Sequence, residues 1–529
     1  MKKFSKTILS LLVSFSMSAF CLPAYAAYEL PDWFSWQEEQ NTAKSEIKSS
    51  YLGDFNKDRT LDASDLVFFT NYFNGSESLS EQIMNKADLN YDSKINITDL
   101  IMLKSMILNE TNPIVTNSAD PCDFIHPEIE EIGASLKSQG EAAMCIIAVD
   151  FPDCKFKHNY SAEDFEKAAF GECNESSDAY PFESISAFYS RASKGTFHLD
   201  GKAFLYHSSK TVNNYRNATD DWKGTDKIIQ ETMKNLDSTV DFSEFDLNHD
   251  HYIDSMIFIL PYDSGDDDWW PVSNTYRFNN FGVDNVIVGN YSTGNVEPDN
   301  ICDFARTYSH ELGHQLGLPD YYLYTDSEDY EGFHGAGGTE LMDVDTKSDL
   351  SSFSKLMLGW FREDQVFYFE RSKKSMTFEL NSAQTDEGNC IVIPAPDNTN
   401  NSLTGEYFIV EYNSDKNNNS TADTLWWQDF KSGVRVFHIK APIADNHYWK
   451  YFKYSVGSEE IGKDYSKFRL IRLVNDNKDP FRKGGFISFN TPGFALYDSN
   501  GYETVDPRVS ISIDDHPDGK YIITITSEN

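Results

Sequence analysis

"HELGHQLGLPD" occupies residues 310–320 and overlaps the end of "FARTYSHELGHQLGL", a stretch whose apolar spacing predicts a helix. His310 and His314 lie four positions apart, so on a helix both imidazoles project from one face and can reach one ion. Gly317 can adopt a left-handed conformation that ends the helix, and a proline follows it. The turn would bring Asp320 to the same ion. The stretch therefore predicts a helix that ends in a metal site with three protein ligands.

A carboxylate beside the first histidine gives this pattern a catalytic interpretation. Catalytic zinc has three protein ligands and one open position, and it lowers the pKa of its water to about 7. Glu311 lies beyond bonding distance of the predicted ion but within reach of that water. A carboxylate there accepts the water's proton and delivers it to a leaving amine. The alternative for the short motif is a chance match, but Gly317 and Asp320 at matching offsets argue against it.

The stretch resembles the HExxHxxGxxD motif of the immune inhibitor A type of secreted bacterial metallopeptidases, a metzincin-like group. Other segments, which together span roughly residues 118–450, resemble successive blocks of that family; they are "IIAVDFPD", "SISAFYSRASKGTFHLDG", "FSEFDLNHDHYID", "SDLSSFSKLMLGWF", "GEYFIVEYNSD" and "GVRVFHI".

The resemblance implies an α/β metzincin-like catalytic domain that cleaves peptide bonds in a protein or peptide substrate. It implies one zinc ion bound by His310, His314 and Asp320, with Glu311 as the general base. It also implies that Met342, in "TELMDVD", belongs to a methionine turn beneath the metal. An ordinary core methionine is the alternative.

An internal repeat occupies residues 51–110. "GDFNKDRTLDASDLVFF" and "ADLNYDSKINITDLIML" are offset by 34 residues (Asp88 minus Asp54), and each is an acidic loop that leads into a helix-period segment. Side-chain oxygens stand at positions 1, 3, 5, 9 and 12 of two calcium loops of the EF-hand spacing, with the position-7 carbonyl between them. The predicted ligands are Asp54, Asn56, Asp58, Thr60, Asp62 and Asp65 in loop one, and Asp88, Asn90, Asp92, Lys94, Asn96 and Asp99 in loop two. The repeat therefore predicts two bound calcium ions.

Each loop ends in aspartate and is followed by one helix, a pattern that resembles a type I dockerin. The resemblance implies a cohesin module of a scaffolding protein, such as that of a cellulosome, as partner. The contacts it implies are Ala63 and Ser64 in one copy and Ile97 and Thr98 in the other. A calcium-stabilised spacer without a partner is the alternative.

A third acidic segment, "DLNHDHYID", places four oxygen-bearing side chains at alternating positions. These are Asp246, Asn248, Asp250 and Asp254. The spacing is typical of calcium ligands, but a polar turn between strands is an equal alternative. Two tryptophan pairs, Trp269–Trp270 and Trp426–Trp427, favour core or loop packing over sugar stacking.

The N-terminus predicts export. Two lysines precede an apolar run over residues 8–22, and small residues follow at 24 and 26, which is typical of a signal peptide at 1–26. The predicted order continues with a linker at 27–50, the dockerin at 51–110, a linker at 111–117, the catalytic domain at 118–365 and a β-rich domain at 366–529. The last assignment rests on short aromatic and β-branched runs such as "KYIITIT". The fold class is therefore multidomain, and the protein is expected to be secreted, at the cell surface or in a cellulosome.

Charge and cysteine usage narrow the remaining classes. The net charge of −39 argues against nucleic acid as a partner, and the mature chain has no apolar run long enough for membrane insertion. Six cysteines remain after removal of the signal peptide, which permits disulfides or, for Cys145, a buried thiol. The predicted function is a secreted zinc endopeptidase on a scaffold. The alternatives are a catalytically inactive scaffold-associated binding protein and a carbohydrate-active cellulosomal enzyme.

Overall fold

The computed structural model describes most of the chain from residue 136 onward and shorter stretches before it. The described residues are 50–51, 55, 63–76, 87, 89, 95–108, 114–117, 136–216, 223–262, 269–275, 281–322, 335–343, 347–398, 402–420, 423–424, 428–429, 431–445, 450–456, 467–475 and 479–528. The predicted signal peptide lies outside them. No helix within these ranges has the length and apolar character needed to cross a membrane.

The repeat region (residues 50–117) contains two helices that pack on each other. Its described elements are β1 (Ser50–Tyr51), α1 (Ala63–Phe73), α2 (Ile97–Leu108) and β2 (Ile114–Asn117). The side chains buried between them are Phe55, Phe69, Ala87, Leu89 and Leu103. Such a small core provides little stability by itself, so this region is the kind of fold that bound ions stabilise.

The α/β region (residues 136–365) alternates strands and helices. Its elements are β3 (Gly140–Asp150), α3 (Ala162–Phe170), α4 (Ile185–Ala192), β4 (Phe197–His207), α5 (Asn213–Arg216), α6 (Lys223–Leu236), β5 (Ser255–Ile259), β6 (Val272–Thr275), β7 (Gly282–Val283), β8 (Val286–Ile287), β9 (Asn290–Gly294), α7 (Ile301–Gln315) and α8 (Ser352–Met357). The strands predicted in "MCIIAVDF" and "SMIFILPY" and the helices predicted in "SAEDFEKAAF" and "DKIIQETMKNL" are confirmed as β3, β5, α3 and α6.

A five-stranded sheet organises the described part of this region, in the order β4-β3-β5-β9-β6. The first four strands run parallel, whereas β6 pairs antiparallel with β9 at the edge. β3 is buried continuously from residue 142 to residue 150. A strand covered on both faces needs apolar side chains on both, which explains the unbroken apolar run of its sequence.

Two contacts fix α7 against this sheet. Gly294, at the end of β9, lies so close to the helix that a Cβ atom there would stand 2.7 Å from Tyr308 Oη. At the C-terminal end of α7, the buried Gln315 amide accepts from Ser255 Oγ at 2.8 Å and donates to Ser292 Oγ at 2.8 Å. The helix that carries the two motif histidines is therefore held at its middle and at its C-terminal end.

The β-rich region (residues 366–528) is built from short strands. They are β10 (Val366–Tyr368), β11 (Ser375–Leu380), β12 (Cys390–Pro394), β13 (Glu406–Asn413), β14 (Asp423–Thr424), β15 (Gln428–Asp429), β16 (Gly433–Lys440), β17 (Ile443–Asp445), β18 (Lys450–Phe452), β19 (Ile471–Leu473), β20 (Phe486–Ile487), β21 (Leu496–Tyr497), β22 (Glu503–Val505), β23 (Val509–Asp515) and β24 (Tyr521–Ser527). In the described residues they form a five-stranded sheet, β10-β12-β13-β16-β19, and a six-stranded sheet, β1-β2-β11-β24-β23-β20. The predicted β-rich character is confirmed.

The five-stranded sheet contributes to two cores. In β13, Phe408 and Val410 point to the core shared with the six-stranded sheet, whereas Tyr407 and Ile409 belong to the core of the α/β region. This alternation is the period of two of a strand buried on both faces. The core of the α/β region thus includes Met342 and Ile409 together. The two regions share hydrophobic packing across the predicted boundary at residues 365–366.

Part of a predicted linker is a strand. The sequence predicts a linker at 111–117, but β2 within it pairs in parallel with β11. β1 then pairs antiparallel with β2. Ile114, Val115 and Thr116 are β-branched and suit a strand, and β2 covers the edge of β11 opposite β24.

Candidate metal centre

The helix α7 has defined signals at both ends. The Asn300 side chain caps its start by accepting from the Asp303 N–H at 3.3 Å. At its end, Gly317 has a φ of +95°, which confirms the predicted left-handed turn. Leu318 N–H then donates to Gly313 O at 2.9 Å, which turns the chain back toward the helix.

This turn brings the three predicted ligands together. His310 Nε2 lies 3.0 Å from Asp320 Oδ1, and His314 Nε2 lies 3.4 Å from the same oxygen. One ligand atom from each residue lies within 4.8 Å of the others, and no other His, Cys, Asp or Glu cluster in the described ranges meets that criterion. All three side chains are largely buried, with Asp320 only 7% exposed.

The outer nitrogens of both rings are fixed by main-chain carbonyls. His310 Nδ1 donates to Leu341 O at 2.9 Å, and His314 Nδ1 donates to Leu318 O at 2.8 Å. Because a carbonyl can only accept, each Nδ1 carries a hydrogen, and the Nε2 of a neutral ring presents its lone pair to Asp320. Two lone pairs and a carboxylate therefore converge on one point. Together they form a donor set for a cation. The Nδ1–H bonds to main-chain carbonyls hold it in place, as is typical of metal-ligating histidines.

The titration of these groups reflects the same convergence. Burial alone would lower the pKa of His314, but the charge of Asp320 outweighs it and raises the pKa to about 9. Burial also opposes the raised pKa of His310, where the hydrogen bond to Asp320 prevails. Burial would raise the pKa of Asp320, but the charge of His314 and the bonds from both rings hold it well below its ordinary value. Positive charge is strongly favoured at this point, which a divalent ion would also satisfy.

The donor set fits zinc. Two imidazole nitrogens and one carboxylate oxygen are ligand types that zinc accepts, and three protein ligands leave a coordination position for a reacting group.

Glu311 lies beside this cluster with an unused oxygen. It is 5% exposed, and its Oε2 atom has no hydrogen-bond partner in the protein. Burial raises its pKa, while the nearby His310 and His314 oppose the rise. An unsatisfied carboxylate oxygen at this depth is unusual and requires a partner such as a water molecule.

Met342 packs against helix α7 at Gly313. It is fully buried, and a Cβ atom placed on Gly313 would lie 2.4 Å from its sulfur. Its turn is fixed by Met342 N–H donating to Glu340 Oε2 at 2.6 Å and by Tyr321 N–H donating to Met342 O at 2.9 Å. Met342 therefore packs between the positions of the two histidines, on the turn that also supplies the Leu341 carbonyl.

The third acidic segment is a hydrogen-bonded turn. Asp246 accepts from the main-chain N–H groups of Asp250 and His251, each at 3.0 Å. Asp254 Oδ2 accepts from Ala143 N–H at 3.0 Å, and its other oxygen is buried without a partner. Burial raises the pKa of Asp254 to about 7. Asn248 Oδ1 also accepts from Asp250 N–H at 2.9 Å. These bonds fit the polar turn, and the three carboxylates do not form a cluster of the kind found at Asp320.

The two repeats carry one identical bond. Asp65 Oδ1 accepts from Phe55 N–H at 2.8 Å, and Asp99 Oδ1 accepts from Leu89 N–H at 2.8 Å. Both aspartates are fully buried at the start of their helices. Asn96 N–H also donates to Asp99 Oδ2, at 2.8 Å. The remaining predicted calcium ligands lie outside the described residues; they are Asp54, Asn56, Asp58, Thr60, Asp62, Asp88, Asn90, Asp92 and Lys94.

The outer surfaces of the two helices are apolar at equivalent positions. Val67 in α1 is 59% exposed, and Ile101, 34 residues later in α2, is 62% exposed. Of the predicted contact residues, Ala63, Ser64 and Ile97 are exposed, and Thr98 lies in the first turn of α2. Both helices therefore present surfaces suited to a protein partner.

A comparison with protein families assigns this region. The model of the dockerin type I domain matches residues 52–108. The predicted dockerin is confirmed, and with it calcium binding and attachment to a cohesin-bearing, cellulosome-like scaffold outside the cell. No curated protein matches the chain.

The structure describes one of the two tryptophan pairs, and only one member of that pair is packed in the core. Trp269 is 1% exposed and stacks on Phe151 with the rings 6.1 Å apart, whereas Trp270 is 61% exposed. Trp426–Trp427 lies outside the described residues. Cys145 is a buried thiol in β3, and burial raises its pKa.

Sequence reasoning missed the groups that orient the histidines. The carbonyls of Leu318 and Leu341 act through the main chain, which has no residue-type signal. The one hint in the sequence concerns the Leu341 carbonyl, because Leu341 directly precedes the predicted methionine turn at Met342.

Proposed function

We propose that the chain is a zinc-dependent endopeptidase that its dockerin attaches to an extracellular cohesin-bearing scaffold. The observation that carries the proposal is the convergence of His310, His314 and Asp320, with the unsatisfied Glu311 carboxylate beside them. The dockerin part rests on the family match over residues 52–108.

Each residue has a separate role in this mechanism. His310, His314 and Asp320 would hold the ion through two nitrogens and one oxygen. A bound zinc ion supplies Lewis-acid activation of water and of the substrate carbonyl. Glu311 accepts a proton from the attacking water and returns it to the departing amine nitrogen. The carbonyls of Leu341 and Leu318 fix both rings, so that their Nε2 atoms would be available to bind the ion.

Burial suits Glu311 to this task. A carboxylate that water solvates freely is a weak base near neutral pH, whereas burial raises the pKa of Glu311 toward the working range. The proposed role also explains why Glu311 Oε2 has no hydrogen-bond partner in the protein, because the attacking water would be its partner. A buried carboxylate kept only for stability would be expected to have hydrogen-bond donors on both oxygens.

Casein zymography of the purified full chain tests the proposal. We expect a cleared band that a zinc chelator abolishes and that added zinc restores. One equivalent of zinc per chain in metal analysis should accompany it. A chain that binds zinc but clears no casein and no other protein would support the inactive binding protein, and a chain that hydrolyses polysaccharide without zinc would support the carbohydrate-active enzyme. Either result would reject the peptidase.

A further inference from the structure

We propose that the β-rich region positions the metal centre, through a loop at Asn417–Asn419 that fixes the orientation of His310. This inference rests on the proposed function, because it concerns the same metal site. It gives the β-rich region a role in catalysis, in addition to its packing against the α/β region.

Leu341 makes two hydrogen bonds behind the predicted metal ligand His310. Its carbonyl accepts from His310 Nδ1 at 2.9 Å. Its N–H donates to Asp349 O at 3.2 Å. The carbonyl that orients His310 therefore belongs to a peptide segment whose own position depends on Asp349.

Asp349 is in turn held by the β-rich region. Its N–H donates to Asn419 Oδ1 at 2.7 Å, and its Oδ1 accepts from Asn418 Nδ2 at 3.0 Å. Its other oxygen accepts from the buried Lys355 ammonium, which also donates to Ala383 O at 3.2 Å in the β-rich region. Asp349 is 3% exposed, so none of these bonds can be replaced cheaply by solvent.

A second route to the metal centre runs through helix α4. Asn418 Nδ2 donates to Phe188 O in α4 at 3.0 Å, and Asn418 Oδ1 accepts from Arg191 Nε at 2.8 Å. The neighbouring Tyr189 hydroxyl donates to Ser309 O, directly before the metal ligand, at 2.7 Å. The asparagine loop thus reaches both supports of His310: it bonds helix α4 directly, and it bonds Asp349, which holds the turn at Leu341.

The loop is itself well anchored. Asn418 and Asn419 are each 1% exposed, and Asn419 Nδ2 donates to Asn413 Oδ1 in β13 at 3.0 Å. Asn417 has a φ of +47°, a conformation that asparagine tolerates better than most residues. A buried polar loop of this kind transmits its position to whatever it bonds, because every alternative arrangement leaves groups unsatisfied.

Loss of the Asn419 support should lower the affinity for the metal ion. Loss of an outer partner of a metal-ligating histidine typically lowers metal affinity or activity about 10- to 100-fold. The direct partner of His310 is the Leu341 carbonyl, and Asn419 is two hydrogen bonds further away, through Asp349, so the lower end is expected.

The test uses full-length Asn419→Ala and a matched control, Asn389→Ala. Asn389 is also 1% exposed in the β-rich region, but its amide accepts from Asn381 N–H and donates to Glu379 O, away from the metal centre. The readouts are the zinc dissociation constant, from competition with a chromophoric chelator, and the visible spectrum of the cobalt-substituted protein. Circular dichroism of the metal-free variants compares their folding.

We expect Asn419→Ala to bind zinc about tenfold more weakly, with an altered cobalt spectrum and a lower kcat at nearly unchanged KM. Asn389→Ala should lose comparable stability and keep the wild-type zinc affinity within about twofold. Should Asn419→Ala not fold, the milder Asn419→Ser replaces it with the same expectation in direction.

Three outcomes separate the claims. Weakened zinc binding in the Asn419 variant alone supports the positioning role. A wild-type chain that binds zinc while the Asn419 variant binds it equally well overturns that role and leaves the proposed function standing. A wild-type chain that binds no zinc overturns both.

Discussion

The two predicted ion sites of this protein are constructed in opposite ways. In the repeat region each set of predicted calcium ligands comes from one short loop, and its last aspartate bonds an N–H group ten residues earlier. In the α/β region the three predicted ligands come from a helix and the turn after it. Their orientation depends on Leu341 and, further away, on Asp349 and Asn419.

Because of this difference, we expect the repeat region to depend on its ions for folding and the α/β region to fold without one. A region with as small a core as the dockerin gains much of its stability from the ions that it binds. The metal centre is supported by a large core that includes Leu312, Met342 and Ile409, so its ligands are in place before an ion arrives. Calcium should therefore be needed for the fold of one region, and zinc for the chemistry of the other.

The largest effect is expected from His314→Ala. Two remaining ligands do not form a catalytic zinc site, so the variant should lose both zinc and peptide hydrolysis. Alanine favours a helix, and the fold should persist. Metal analysis of the purified variant checks this, with the exposed His198→Ala as control. Full zinc occupancy in His314→Ala would mean that the ligand set is wrong.

Calcium removal should have a complementary effect. After exhaustive dialysis without calcium, but with zinc present, the chain should lose cohesin binding because the dockerin helices are no longer ordered. Its zinc content and peptide hydrolysis should remain. Titration with calcium, followed by calorimetric cohesin binding, measures the recovery. If dialysis abolished hydrolysis as well, the two sites would not be independent.

A smaller effect is expected at the contact between helix and methionine. Gly313→Ala improves helix propensity by about 1 kcal/mol, but its Cβ would meet the Met342 sulfur at 2.4 Å. Overpacking of this kind typically costs about 1–3 kcal/mol and should displace the turn that bears Leu341. Zinc affinity should fall accordingly. In a Met342→Ala background the same change should cost less, and equal costs in both backgrounds would contradict the proposed contact.

The smallest effect concerns the two faces of the dockerin. Ala63–Ser64 in one copy corresponds to Ile97–Thr98 in the other, and Thr70 corresponds to Lys104. Such differences in shape and charge can reach about 1–2 kcal/mol at an interface, enough to favour one cohesin orientation about tenfold. We expect one of Ser64→Asp and Thr98→Asp to weaken cohesin binding severely and the other mildly. Two mild single effects with a severe double effect would show that the faces are interchangeable.

The same contrast explains what the sequence could predict. The helix α7, the left-handed Gly317 and the return of Asp320 follow from local spacing, and so does the repeat of Asp65 and Asp99. The support of His310 could not be predicted, because Asn419 lies 109 positions beyond it (419 minus 310) and acts through main-chain groups. Spacing at Asp246–Asp254 left two alternatives open because calcium loops and hydrogen-bonded turns use the same residues at the same positions.

The proposed role of Glu311 as the base of a zinc peptidase is tested by a single substitution. Glu311→Gln keeps the shape of the side chain but removes its basic oxygen. We expect one equivalent of zinc per chain, an unchanged fold and a loss of peptide hydrolysis of about 10²- to 10⁴-fold relative to the wild type. Hydrolysis at the wild-type rate by a zinc-loaded Glu311→Gln variant would show that Glu311 is not the base.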